Sequence, residues 1–166
     1  TDIGKALATH KKGYVLISRS DSTLRGHFPL ETKVLKETIE ENSDLHFDGE
    51  IMYPFFPEGG RYTASNIHYV ETDGKMIPAG QTEFAKDKTF SYKNSDLAAY
   101  VEEKTKGEFL AEDVISISLK ELREQDYDSI TKKLLLAENF SKIIVNSLTY
   151  DDVKVFTIAF LRALAQ

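Results

Sequence analysis

The stretch SRSDSTLRGHFPLET, Ser18 to Thr32, gathers side chains that hold small anions. Arg19 and Arg25 can each offer a fork of N–H donors to a planar carboxylate. Asp21 only accepts hydrogen bonds, which suits a sugar hydroxyl or the proton of an attacking alcohol. Ser22 and Thr23 can donate or accept. Before this stretch lies YVLI, which reads as a buried strand, and after it LKETIEEN, which reads as an exposed helix surface. The charged residues therefore sit where a strand feeds a helix. The first N–H groups of a helix are unpaired and carry partial positive charge, so a carboxylate or phosphate is stable there. Together these groups fit a small ligand with one anionic end and several hydroxyls. The same residues also read as an ordinary helix cap, with Asp21 and Arg25 as an i, i+4 pair contributing about 0.3–0.5 kcal/mol.

Two further segments carry chemistry. PFFPEGGRYT, 54–63, follows a second strand. Gly59 and Gly60 permit positive φ and close approach of backbone to a ligand, Arg61 adds a cation and Tyr62 a flat face. The alternative is an ordinary surface turn. QTEFAKD, 81–87, sets Glu83 beside Phe84 on a loop, where the carboxylate can reach over a site or simply be solvated. His10, His27, His46 and His68 lack metal-ligand spacing, so no metal site is expected. His27 and His68 lie near the two loops in sequence, and either can line a site. The sequence contains no P-loop, no G-x-G-x-x-G, no G-x-S-x-G and no H-E-x-x-H.

The elements that must position these groups follow from periodicity. The 166 residues suit one domain, and 41% hydrophobic with 29% charged residues suits a globular core. A net charge of -6 argues against a general nucleic-acid surface. Without cysteine there is no disulfide, thiolate nucleophile or Cys-ligated zinc. The apolar VFTIAFLRALA is too short to span a bilayer and no secretory pattern opens the chain, so the expected location is cytoplasmic. We expect a helix near 2–11 ended by Gly13, strand 14–19, helix 29–42 with Pro29 in its first turn, and strand 49–56. A hairpin turning at Asp73-Gly74 comes next, then a polar loop over 80–94 and a helix from 96 to about 105, capped by Ser95 and closed by Gly107. The chain closes with strand 113–119, helix 127–138, strand 142–148 and a last helix opened by Thr149 or Asp151. This alternation predicts an α/β fold of three layers: a mostly parallel sheet, helices on both faces and one inserted β-hairpin.

With these residues in hand, the chain resembles the N-terminal, substrate-binding domain of the four-carbon acid sugar kinases, the erythronate, threonate and 3-oxo-tetronate kinases. The matching strings are DSTLRGHFPLE (21–31), PFFPEGGRYT (54–63) followed by HYV, PAGQTEFAKD (78–87), SDLAAYVEEKT (95–105) and IVNSLTYDDV (144–153), in the family's order. The resemblance implies ATP-dependent phosphate transfer to a terminal hydroxyl of a short polyhydroxylated acid. It implies that Arg19, Asp21, Ser22 and Arg25, with Gly60 and Arg61 and then Glu83, bind the sugar acid; it names no catalytic residue.

Members of that family usually begin with a strand and an Asp-Asp-x-Thr-Gly turn, and carry a separate C-terminal nucleotide-binding domain. Neither is present in this sequence. The expectation is a single sugar-acid-binding domain, 1–166, that needs the nucleotide-binding domain as its partner and does not bind ATP or Mg²⁺ alone. A non-catalytic sugar-acid-binding module or remnant is the alternative. A nicotinamide dehydrogenase ranks last, because the glycine fingerprint is missing. The sequence does not select among four-carbon acids, and it leaves a homo-oligomer open.

Overall fold

The computed structural model describes residues 1–10 and 12–166. A three-stranded parallel sheet lies at the centre, in the order β1 (Gly49–Met52), β6 (Ser141–Val145), β5 (Ile115–Ile117). Beside it stands a three-stranded antiparallel sheet of β2 (Arg61–Ala64), β3 (Ile67–Thr72) and β4 (Lys75–Pro78). Among the described residues there are six α-helices: α1 (Asp2–Ala8), α2 (Leu30–Glu41), α3 (Leu97–Thr105), α4 (Leu119–Arg123), α5 (Tyr127–Leu134) and α6 (Tyr150–Leu164).

The layers follow from the alternation of β6. Successive strand residues point to opposite faces. Ile143 and Val145 enter one core with Ile117, Leu122, Ile130, Leu134, Phe156 and Ala159, supplied by β5 and helices α4–α6. Ile144 enters the other, with Leu97 and Tyr100 of α3, Val70 of β3, and Leu24 and Tyr92 from loops. A strand apolar on both faces, SKIIV, is what two covered faces require. Burying each such large side chain contributes about 1.5–3 kcal/mol.

The antiparallel sheet is locked onto the parallel one at a single corner. Thr63 and Ser147 exchange backbone hydrogen bonds of 3.1 and 2.9 Å. Next to them, Asn66 N–H donates to Asn146 Oδ1 (2.7 Å), and the Asn146 side-chain amide donates to Asn66 Oδ1 (3.0 Å) and to the Ile117 carbonyl (2.8 Å). Asn146 and Ser147 are buried, so these bonds satisfy groups that would otherwise be costly to remove from water.

Several expectations from the sequence need correction. Residues 14–19 form no strand: Tyr14 and Leu16 are half-buried, Val15 and Ile17 are exposed, and no backbone ladder joins the segment. An apolar run supplies the wish for burial but not a neighbouring edge. The opening helix ends at Ala8; the expected 2–11 span includes Lys11, which lies outside the described residues. Asp96, not Ser95, caps α3, accepting from the N–H groups of Ala98 and Ala99, while the Ser95 hydroxyl accepts from Gly80 N–H. Strand 113–119 shrinks to Ile115–Ile117, because Ser118 and Glu121 form a capping box that opens the unexpected α4. Helix 127–138 ends at Leu134, and Pro29 stands at the N-cap of α2. The hairpin is as expected, with Asp73 and Gly74 both at positive φ between Thr72 and Lys75. A second tight turn, at Ser65-Asn66, precedes it.

Candidate functional site

The turn after the 14–19 segment is held by its own side chains. Asp21 Oδ2 receives Arg25 Nε–H at 2.6 Å and the Thr23 hydroxyl, and Asp21 Oδ1 receives Thr23 N–H at 3.3 Å. Arg25 Nε also lies 2.9 Å from Thr23 Oγ1. Burial works to raise the Asp21 carboxyl, but the bonds from Thr23 and Arg25 outweigh it and hold the group below its ordinary value. The i, i+4 pairing that the sequence allowed is thus formed. It uses only Nε of Arg25 among the described hydrogen bonds, and leaves the terminal Nη groups to a further acceptor.

The glycine loop forms a 3-10 turn over Pro57–Gly59, closed by Gly60 in the left-handed region at φ 71°. Its glycines answer to their own chain. A Cβ on Gly59 would stand 2.5 Å from the Phe56 ring, and one on Gly60 would stand 2.9 Å from Glu71 Cβ. The loop thereby aims Arg61, whose Nη1 donates to the Gly59 carbonyl while its Nε is buried without a hydrogen-bond partner.

Phe84, in the 3-10 turn Glu83–Lys86, joins the two motifs. The guanidinium carbon of Arg25 lies 4.9 Å from the centre of its ring, and that of Arg61 lies 5.3 Å away. Residues far apart in sequence thus place two cations on one aromatic ring. A cavity of about 390 Å³ opens beside it, lined by Arg61, Glu71, Gln81, Glu83, Phe84 and Lys86 among others. A more open hollow of about 440 Å³ lies along α3, lined by Asn94, Glu102, Glu103 and Lys106, and shares none of these groups.

The structure therefore brings Arg25 and Arg61 together on Phe84, with Asp21 bonded to Arg25 and Glu83 on the cavity wall. Arg19, the last residue of the unpaired 14–19 segment, is exposed and makes none of these contacts among the described hydrogen bonds and ring contacts. Ser22 contributes its carbonyl, which receives His68 Nε2–H at 2.8 Å. Gly60 shapes the loop. Among the described residues no group of three or more His, Cys, Asp or Glu side chains is placed to hold a metal ion. His27 is exposed and meets the Phe90 ring edge-on at 4.9 Å.

Sequence reasoning gave no role to Phe84, Tyr92 or Tyr100. A tyrosine hydroxyl that must find a partner in the core is the only signal, and it does not say which partner.

The sequence profile described as "Sugar-binding N-terminal domain" matches residues 2–166. The chain belongs to this family. That is the domain type the sequence motifs resemble, the N-terminal domain of the four-carbon acid sugar kinases. No protein of curated function matches the chain. In fold, the domain is similar to the crystal structure of Haemophilus influenzae protein HI1011, which carries the DUF1537 family profile. The TM-score is 0.61 at 13% identity, over 89% of this chain. The sugar-binding domain spans 32% of that protein's length. No helix among its described residues is long and apolar enough to cross a membrane.

Proposed function

We propose that this domain is the sugar-acid-binding part of an ATP-dependent kinase that phosphorylates a terminal hydroxyl of a four-carbon sugar acid. The observation that carries the reading is Arg61: a guanidinium with a buried, unpartnered Nε, held on the same ring as Arg25, beside a cavity. A buried N–H of a cation left without an acceptor is costly, and an anionic ligand supplies the acceptor. In this reading Arg25 and Arg61 take the carboxylate, Asp21 fixes Arg25, Ser22 and Glu83 face the hydroxyls, and Gly60 fixes the approach of Arg61. Among the described residues no side chains form a cage for Mg²⁺, and the sequence has no phosphate loop, so the role proposed for this domain is to bind and orient the acid. Those parts belong to the nucleotide-binding portion of the kinase.

Titration calorimetry with D-threonate and D-erythronate tests the proposal. Saturable binding of either acid, lost in Arg61→Ala, supports it; silence with both acids in the parent domain sinks it. With ATP and Mg²⁺ present, the domain alone is expected to release no acceptor-dependent ADP.

A further inference from the structure

Three buried rings reach the same turn from outside it. His68 Nε2 lies 2.8 Å from the Ser22 carbonyl, the Tyr92 hydroxyl 2.8 Å from the Thr23 carbonyl, and the Tyr100 hydroxyl 3.0 Å from the Leu24 carbonyl. These are three consecutive carbonyls, and the donors stand 46, 69 and 76 positions away. The rings come from β3, from the loop before α3 and from α3 itself, and are exposed by only 0%, 4% and 1%. We infer that His68, Tyr92 and Tyr100 are positioning residues of the sugar-acid site, which set the direction of Arg25 by holding the backbone of the turn that carries it. The inference rests on the functional reading above and names what keeps that site in shape.

The chemistry of each contact has one solution. A carbonyl only accepts, so His68 must carry its proton on Nε2, and Nδ1 then accepts from the Thr63 hydroxyl at 3.0 Å. Burial pushes both phenols above their ordinary values, which keeps them protonated donors. Tyr92 lies 3.5 Å from the Ala79 carbonyl as well, but its single proton goes to the shorter contact at Thr23. The two tyrosine rings brace each other edge to face at 5.5 Å, and Phe28 stacks on Tyr100 at 5.7 Å.

What the rings hold is an unfavourable backbone. Leu24 adopts φ 64°, a left-handed conformation that a side chain with Cβ disfavours, and its side chain is buried. The surrounding structure must over-determine such a residue for it to persist. Fixing the carbonyls of Ser22, Thr23 and Leu24 fixes the peptide planes on both sides of Leu24, and Arg25 is the next residue. Its reach to Asp21 and Phe84 is the consequence.

Tyr92→Phe and Tyr100→Phe each keep the ring and delete the donor. Two measurements test the inference, both made where parent and variants are fully folded. The first is the Kd for D-threonate and D-erythronate by calorimetry. Each variant is expected to bind roughly three- to tenfold more weakly. A merely structural role lowers the melting temperature and leaves Kd at the parent value, which overturns the inference. The second is amide hydrogen exchange at Thr23 and Leu24, whose N–H groups bond to Asp21. Both amides are expected to exchange faster, relative to amides of β6, in either variant. Parent-like exchange in both variants overturns the inference whatever the Kd. A parent domain that binds neither acid refutes the functional reading, and the exchange result alone then decides whether the rings hold the turn.

Discussion

Thr63 and His68 stand directly opposite each other on β2 and β3, and the threonine hydroxyl donates to His68 Nδ1 across 3.0 Å. The bond exists only for a neutral ring. Burial, opposed by the Ser22 carbonyl and reinforced by the nearby Arg61 guanidinium, pushes the His68 pKa down to about 4. In the unfolded chain the value returns to about 6.5. Between these limits the unfolded state binds the extra proton, so stability is full above about pH 6.5 and falls as pH drops toward 4. The loss is on the order of 3 kcal/mol across that window. Urea titrations from pH 4.5 to 7.5 should show the slope in the parent, and His68→Gln should flatten it. An equal slope in both would mean that another group causes it.

Asp21 holds Arg25 from the side, through Nε. Asp21→Asn keeps the shape but removes the charge and weakens the acceptor of both the Arg25 and Thr23 bonds. Affinity for the sugar acid is expected to fall by roughly tenfold, about 1.4 kcal/mol, because Arg25 is released rather than because a ligand contact is cut. A double-mutant cycle with Arg25→Ala checks this. If the two losses add in full, Asp21 does not act through Arg25.

Glu50 and Lys142 are register partners on β1 and β6, bonded at 2.7 Å, and Lys142 is buried between the rings of Phe140 and Phe109. Glu50→Ala leaves the ammonium in the core without its counter-charge, and about 3 kcal/mol of stability should be lost. Replacing both, with Glu50→Leu and Lys142→Met, should restore most of that in chemical denaturation. No restoration would show that the pair, and not the uncompensated charge, is what matters.

Gly60 and Gly74 share nearly the same backbone, at φ 71° and 72°, but not the same surroundings. A Cβ at Gly74 meets open space, and Gly74→Ala should cost only the left-handed strain of about 1–2 kcal/mol. At Gly60 the Cβ also meets Glu71 at 2.9 Å, so Gly60→Ala should cost more and displace Arg61. Comparing melting temperatures of the two variants, together with sugar-acid affinity, separates strain from crowding. Affinity should fall only for Gly60→Ala.

Much of this fold was legible in the chain. The strand read over 142–148 forms as Ser141–Val145, and the hairpin turning at Asp73-Gly74 forms as expected, because local backbone and side-chain preferences favour both. Of the two residues that the chain offered to open α6, Thr149 and Asp151, Thr149 is the cap. YVLISR misled because strand formation needs a partner edge, which apolar composition does not guarantee. The charged turn was visible, but Asp21 and Arg25 gave no sign of Phe84.

By itself the sequence determined which donors and acceptors the charged turn carries, since guanidinium forks, carboxylates and hydroxyls have fixed hydrogen-bonding chemistry wherever they sit. Only the tertiary structure decided which of them meet. Arg25 and Arg61 share a ring, and three distant rings clasp one turn, because the packing of two sheets against α3 closes distances that local sequence does not encode.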